Sequence, residues 1–269
     1  MLGFIVPIKS LAVSKDWNYD NKLLERTCKS ICAQTDQDFK LVIVHKEKPV
    51  IDFDHPNLVY LNYDFPILPY TDMEDFDSYV TLYYKKDYAE KMMDKGRKIM
   101  FGCNLAKELG CNYMIAIDSD DLVSNRMASF VNSAQSAKGA GWRINKGYVH
   151  EENSSLVLLN NKIYGINGST HIIRADLVLI PDFTSRKFWD YNLYEAHGYT
   201  VDRIRHFHAE VMAEYNECGI MYIIHKNNFS NVKKIIFGFS VKNILKKCLM
   251  AKFLTRGIRS EYGLYKLKN

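Results

Sequence analysis

Three short apolar runs punctuate the first half of the chain: Leu2-Gly3-Phe4-Ile5-Val6, Leu41-Val42-Ile43-Val44 behind Phe39 and Lys40, and Tyr113-Met114-Ile115-Ala116-Ile117. Each is too short for a helix and too continuously apolar for a strand with one wet face. They therefore predict strands buried on both sides. Between them the period changes. Residues 20–34 set Leu23, Leu24, Thr27 and Ile31 at helical spacing, and residues 83–109 are largely helical in pattern. Residues 57–61, after Pro56, predict a further strand. Strands alternating with helices give an α/β fold, an open and mostly parallel twisted sheet flanked by helices.

The second half is patterned differently. Residues 141–150, 156–159 and 163–170 have strand character around glycine-containing and polar turns, which predicts a small antiparallel segment beside the parallel sheet. Residues 124–137 predict a helix with Ser124 as N-cap. Residues 201–218 predict another, closed by Gly219, and Ile220-Met221-Tyr222-Ile223-Ile224 a last strand ending at His225. Residues 64–78 hold five acids and two prolines in a long loop, and 181–199 are aromatic and irregular.

Composition changes this picture only at the carboxyl end. With 269 residues, 47% hydrophobic and 25% charged, the chain has the make-up of a soluble globular protein. The net charge of +5 conceals a split: from 231 onward there are ten Lys or Arg against the single acid Glu261, a net of +9, which leaves −4 for the rest. We therefore divide the chain into a catalytic domain, 1–230, and a basic amphipathic tail, 231–269. The tail is expected to meet an anionic membrane surface or to pack on the domain. An acidic body does not suggest nucleic-acid binding. The six cysteines lack Cys-x-x-Cys spacing, the first apolar run ends at Pro7, and no apolar stretch approaches the ~20 residues that span a bilayer. A reduced, cytoplasmic protein is expected, peripheral on the membrane's inner face where the tail meets that surface.

The candidate chemistry follows the third apolar run at once, as Asp118-Ser119-Asp120-Asp121. Side chains at the carboxyl end of a central strand project into the crevice where α/β sheets bind ligands. Carboxylates crowded there are reconciled by a divalent cation, and hard oxygen ligands suit Mg²⁺ or Mn²⁺ arriving with a phosphate-bearing substrate. Alternatively, Asp120 or Asp121 only caps the following helix. Pro7 and Lys9 follow the first strand near the same switch point, where Lys9 either meets a diphosphate or is a solvated loop lysine. No glycine-rich phosphate loop occurs, which argues against dinucleotide and P-loop proteins.

Residues 113–121 resemble the Asp-x-Asp segment of GT-A glycosyltransferases, and the run Ser30-Ile31-Cys32-Ala33-Gln34-Thr35, Asp38-Phe39, Leu41-Val42-Ile43-Val44 is similar to glycosyltransferase family 2. Gly141-Trp142 through Gly147-Tyr148, with 168–174, resembles a rhamnosyltransferase-type branch of that family. The resemblance implies a GT-A fold holding a nucleotide-diphosphate sugar, with Asp118, Ser119 and Asp120 at the metal and diphosphate. It implies a third metal ligand in His225, and pyrophosphate contacts from the Lys95 and Lys98 helix. Where the wider family carries an acidic pair after the second strand, this chain has His45-Lys46-Glu47-Lys48, so base recognition falls to Glu47. At the place of the family's general base stand His206-Phe207-His208-Ala209-Glu210. His208 is the expected base, with Glu210 and Asp202 as alternatives.

The expected function is metal-dependent, inverting transfer of a sugar from a nucleotide donor to a saccharide or lipid-linked acceptor, in surface polysaccharide biosynthesis. Two other readings remain: nucleotidyl transfer to a sugar phosphate, and a membrane-surface scaffold with a degenerate site.

Overall fold

The computed structural model describes residues 1–75, 86–134, 139–194, 197–226, 228 and 250–267. Its centre is a parallel quartet: β1 (Leu2–Pro7), β2 (Phe39–His45), β3 (Leu58–Asn62) and β4 (Tyr113–Ala116). β1 pairs with both β2 and β4, and β3 lies outside β2. The antiparallel part continues from β4 through β8 (His171–Arg174), β6 (Gly141–Glu151), β7 (Leu156–Asn160) and β10 (Ala251–Phe253). The chain thus forms the α/β sheet flanked by helices that its pattern predicts.

The apolar strands are buried on both faces because each face carries a helix. In β1, Leu2, Phe4 and Val6 point into one cluster with Leu24, Cys28 and Ile31 of α1 (Trp17–Cys32). Ile5 points the other way, with Val42, Val44 and Met114, into a cluster containing Met92, Met93, Met100 and Cys103 of α2 (Lys86–Glu108). The period-two alternation of a strand thereby feeds two separate cores. Gly102 lets α2 lie close on the sheet, since a Cβ there would come within 2.5 Å of the Ile5 Cγ2 and 2.8 Å of the Val44 Cγ2.

Besides 163–170, which form a 3₁₀ turn (Ile163–Gly165) and a loop ahead of β8 rather than a strand, the chain departs from the predicted pattern at three places. The helix expected at 201–218 is only α5 (Thr200–His208). Ala209 adopts a left-handed conformation (φ 53°) that ends it. Residues 213–218 instead begin β9 (Ala213–Ile224), which runs parallel to β6 and antiparallel to β5 (Leu122–Val123). Burial of Tyr215 against Phe130 outweighs the helical pattern there. The helix after the acids, α3 (Met127–Ser133), starts later than predicted, because the Ser124 hydroxyl donates to Glu261 at 2.7 Å.

The third departure is the carboxyl end. Residues 251–267, set apart above as part of a tail, are built into the body. β10 pairs with β7, α6 (Arg256–Glu261) follows, and Tyr262 and Leu264 are buried with Leu122, Met221 and Ile223. Arg26 of α1 donates to Glu152 and to the Tyr265 carbonyl, which ties the segment down. Residues 229–249, where most of the basic amphipathic pattern falls, lie outside the described residues. Among the described residues no helix is long and apolar enough to cross a membrane.

Candidate active site

The acids sit where β4 runs out. Its last residues alternate between the two cores, and Asp118 continues the α2 side, where its carboxylate meets the Lys95 ammonium of α2 at 2.7 Å. Buried polar side chains of α1 hold the loop from below. The Thr27 hydroxyl donates to the carbonyls of Ser119 and Asp121 at 3.1 and 2.9 Å, and the Ser30 hydroxyl accepts the Val123 N–H. From the β8 side comes a turn, 167–170. The Ser169 hydroxyl accepts the Asp118 N–H at 2.9 Å and donates to Asp121 at 2.8 Å, and Asn167 donates to the same Asp121 oxygen at 2.6 Å.

The three acids therefore divide. Asp118 and Asp120 keep 31% and 25% of their side-chain surface exposed, whereas Asp121 has none. Burial, then the charges of Asp118 and Asp120, push the Asp121 carboxyl well above the usual carboxylate range despite its two hydrogen bonds. It is a structural acid of the turn. Asp120 goes the other way. Burial opposes its ionisation, but the His225 hydrogen bond and the charges of His225, Lys9 and Lys95 outweigh that and hold it below its ordinary value.

Pro7, Lys9, Lys95, Asp118, Ser119 and Asp120 all line one cleft of about 490 Å³ at the carboxyl ends of β1 and β4. Lys9 is 3.0 Å from the buried Asp20 of α1. His225, at the end of β9, places Nε2 2.8 Å from the Asp120 Oδ2, with the Tyr19 ring beside it. Lys98 also lies at the cleft wall, but its ammonium is buried between the Ile8 carbonyl at 3.2 Å and Asp94 at 2.7 Å. It fastens the loop after β1 rather than reaching for a phosphate.

Four expected residues fall away from the cleft. Glu47 accepts the Leu11 N–H at 2.9 Å and does not line the cleft, so it bonds to the loop after β1. Glu210 pairs with Arg174 at 3.1 Å, and Arg174 stands opposite Tyr113, the first residue of β4. Five residues of strand, about 17 Å, separate that end from Asp118. His208, two residues before Glu210, and the exposed Asp202, paired with Arg205, belong to the same helix, whose end leads to that side. The misread helix explains the error. A helix running on to Gly219 is what would carry His208 to the acceptor side, whereas the chain leaves the helix at Ala209 and is strand from Ala213.

Among the described residues no group of three His, Cys, Asp or Glu side chains stands at metal-binding spacing. The two donors present nevertheless fit a hard divalent cation. Neighbouring ligands at about 2.1 Å from an octahedral ion stand about 3 Å apart, and Mg²⁺ completes its shell with water and substrate phosphate. Asp120 and His225 bond each other directly at 2.8 Å, and a cation held by both would take the place of that hydrogen bond. Pattern reading missed Thr27, Asn167 and Ser169, and also His197, which lines the cleft from the segment read as an irregular loop.

No family model and no curated protein matches the chain. Solved structures resemble it in chain course. S. aureus TarS is 13% identical, with a TM-score of 0.46 over 91% of this chain and 41% of that one. The Francisella tularensis 2-C-methyl-D-erythritol 4-phosphate cytidylyltransferase IspD is 10% identical, with 0.40 over 92% and 98%. A protein assigned as a nucleotide-diphospho-sugar transferase from Desulfovibrio desulfuricans G20 is 9% identical, with 0.36 over 87% and 86%. This chain thus spans less than half the length of TarS, and what its cleft does is read from its own side chains.

Proposed function

We propose that the cleft binds a nucleotide-diphosphate sugar and transfers its glycosyl group to a saccharide or lipid-linked acceptor with inversion. Mn²⁺ or Mg²⁺ would be held by Asp120 and His225. The observation that carries this reading is the convergence of opposite charges at one sheet end: Asp118 and Asp120 line the same cleft as Lys9 and Lys95, Lys95 is paired with Asp118, and the buried His225 bonds Asp120. Carboxylates alone would repel a diphosphate, and ammonium groups alone would need no acids. Their combination suits a polyanion bound together with a cation.

The cation, when bound, offsets the charge that develops on the departing nucleoside diphosphate. The protein's own groups do the rest. Lys95, held by Asp118, and Lys9, held by Asp20, present two positioned ammonium groups to the phosphates. Ile8, Val13 and Leu23 give the β1 side an apolar wall for a nucleobase. Ser169 and Thr27 keep the acid loop from moving as charge shifts. The cleft volume lies in the range of small-molecule sites, roughly 300–1,000 Å³.

Titration calorimetry of the full chain with UDP, GDP, CDP and dTDP, with and without Mn²⁺, tests the reading. One nucleotide should bind in a Mn²⁺-dependent way, and Asp120→Asn should weaken it by roughly tenfold or more at unchanged thermal stability. Failure of every nucleotide to bind would sink the proposal. Release of pyrophosphate from a nucleoside triphosphate and a sugar phosphate would replace it with nucleotidyl transfer. The anomeric configuration of the product, read by NMR, decides inversion.

A further inference from the structure

A second concavity, of about 400 Å³, shares no lining residue with the cleft. Strand alternation builds its floor. Leu159 of β7 pairs with Tyr148 of β6, and Cys218 of β9 pairs with Lys146, two residues before Tyr148 and so on the same face. Leu159, Tyr148 and Cys218 pack with the buried Met221 and Ile223, whereas Tyr222, which lines the cleft, belongs to another core. The concavity therefore opens on the face of β9 opposite Tyr222. Between the pairs Ile144–Tyr215 and Gly147–Ile220, β6 advances three residues and β9 five, with a register shift on each side of Lys146. The bulged strand brings Asn216, Glu217 and Cys218, three in a row, to one concavity, where a regular strand would divide them between two faces.

The charges around this floor do not cancel. One cation takes both acids: Arg126 meets Glu217 at 3.3 Å and Glu261 at 2.9 Å. Lys146 of β6 and Lys252 of β10, which pairs with Val157, line the same concavity. Among the described residues neither ammonium group has a hydrogen bond or an acid partner. Both act on Cys218: burial pushes its thiol up, while a Tyr148 hydrogen bond and the charges of Lys252 and Lys146 pull the other way. The exposed amides of Asn161 and Asn216 stand at the rim.

Two ammonium groups without acids suit an oxyanion, and amides that both donate and accept suit hydroxyl groups beside it. The volume is that of a small-molecule site rather than of a single ion. We infer that this concavity is a second binding site, which takes a saccharide unit bearing a phosphate or a carboxylate. Lys146 and Lys252 meet the oxyanion, and Asn161 and Asn216 meet the hydroxyls. The assignment is independent of what the cleft does.

Calorimetry of the full chain tests it with glucose 6-phosphate, glucuronate and tetragalacturonate, against glucose and inorganic phosphate. The acidic sugars should bind, glucose should not, and phosphate should be weaker than glucose 6-phosphate by about tenfold or more. The double variant Lys146→Gln, Lys252→Gln, which breaks no described contact, should weaken glucose 6-phosphate by about tenfold or more at an unchanged melting temperature. Should the double variant lose stability, the exposed Lys252→Gln alone carries the comparison. Asp120→Asn, which alters the cleft, should bind glucose 6-phosphate within about twofold of the parent. Unchanged affinity in the lysine variants, or loss in Asp120→Asn instead, overturns the assignment. So does failure of all three acidic sugars to bind, and phosphate binding as tightly as glucose 6-phosphate. Tetragalacturonate tighter than glucuronate would identify the ligand as a unit of an acidic chain, and equal affinities as a free acidic sugar.

Discussion

At Ser169 one hydroxyl serves two acids, accepting from the Asp118 backbone and donating to the Asp121 carboxyl, and its neighbours are buried with it. Two residues on, His171 is 1% exposed, 3.3 Å from the Thr170 hydroxyl at Nδ1. Burial, then the charges of His197 and Arg143, bring its imidazole down to about 3. Unfolded, it would titrate near ~6.5. The unfolded chain therefore gains a proton on acidification that the folded chain refuses, and stability falls as the pH drops below ~6.5, continuing until about 3. Between pH 7 and 5 this one group should remove about 2 kcal/mol. His171→Gln should lose less stability than the parent by that amount, measured by urea denaturation at both pH values. Equal losses would show that His171 titrates normally. Some of this scale was legible in the sequence and some was not. Asp118, Asp120 and His225 were found because each directly follows an apolar strand, where a polar side chain has only the crevice to enter. Thr27 and Ser30 were missed because they lie on the apolar face of a helix, where a hydroxyl that serves a distant backbone looks like any small core residue.

Elements were legible wherever burial and period agree. The four parallel strands and α1 and α2 stand within a few residues of the predicted bounds. Agreement ends at β9, whose first half reads as helix by spacing and is strand by pairing, and at the carboxyl end. There the sequence shows mainly positive charge and scattered apolar residues. What makes 251–267 part of the body is long-range: Tyr262 is fully buried against Tyr148, its hydroxyl donates to the Cys218 carbonyl, and Arg126 bonds Glu261 at 2.9 Å. No local pattern encodes partners 44 to 135 residues away. Tyr262→Ala should cost about 3–5 kcal/mol in denaturant unfolding, as large aromatic truncations do. Tyr262→Phe should cost only about 1 kcal/mol, for one hydrogen bond. A Tyr262→Ala protein as stable as the parent would detach the segment from the core and restore the separate tail.

For the whole molecule the decisive feature is that the cleft takes its walls from both cores. Asp20 and Leu23 belong to α1 on one face of the sheet, Tyr88 and Lys95 to α2 on the other, and the acids issue from the strand between them. A ligand held there touches three layers that otherwise communicate only through the sheet. It therefore opposes local opening on both faces at once, because each opening would break contacts with it. At 100-fold excess over Kd the added protection amounts to about 2.7 kcal/mol for openings that release the ligand. The segment 251–264 itself contributes no side chain to the cleft, which β9 reaches through Tyr222, so an opening confined to that segment releases no ligand and lies outside that linkage. Hydrogen exchange in the presence of Mn²⁺ and the bound nucleoside diphosphate should therefore slow in peptides covering 17–24 and 88–98 together. Peptides covering 251–264 should exchange as before. Slowing confined to one helix would place the ligand on one face of the sheet and not in the cleft. Uniform slowing over the whole chain would mean that the sheet opens as a single unit, with the two cores energetically one.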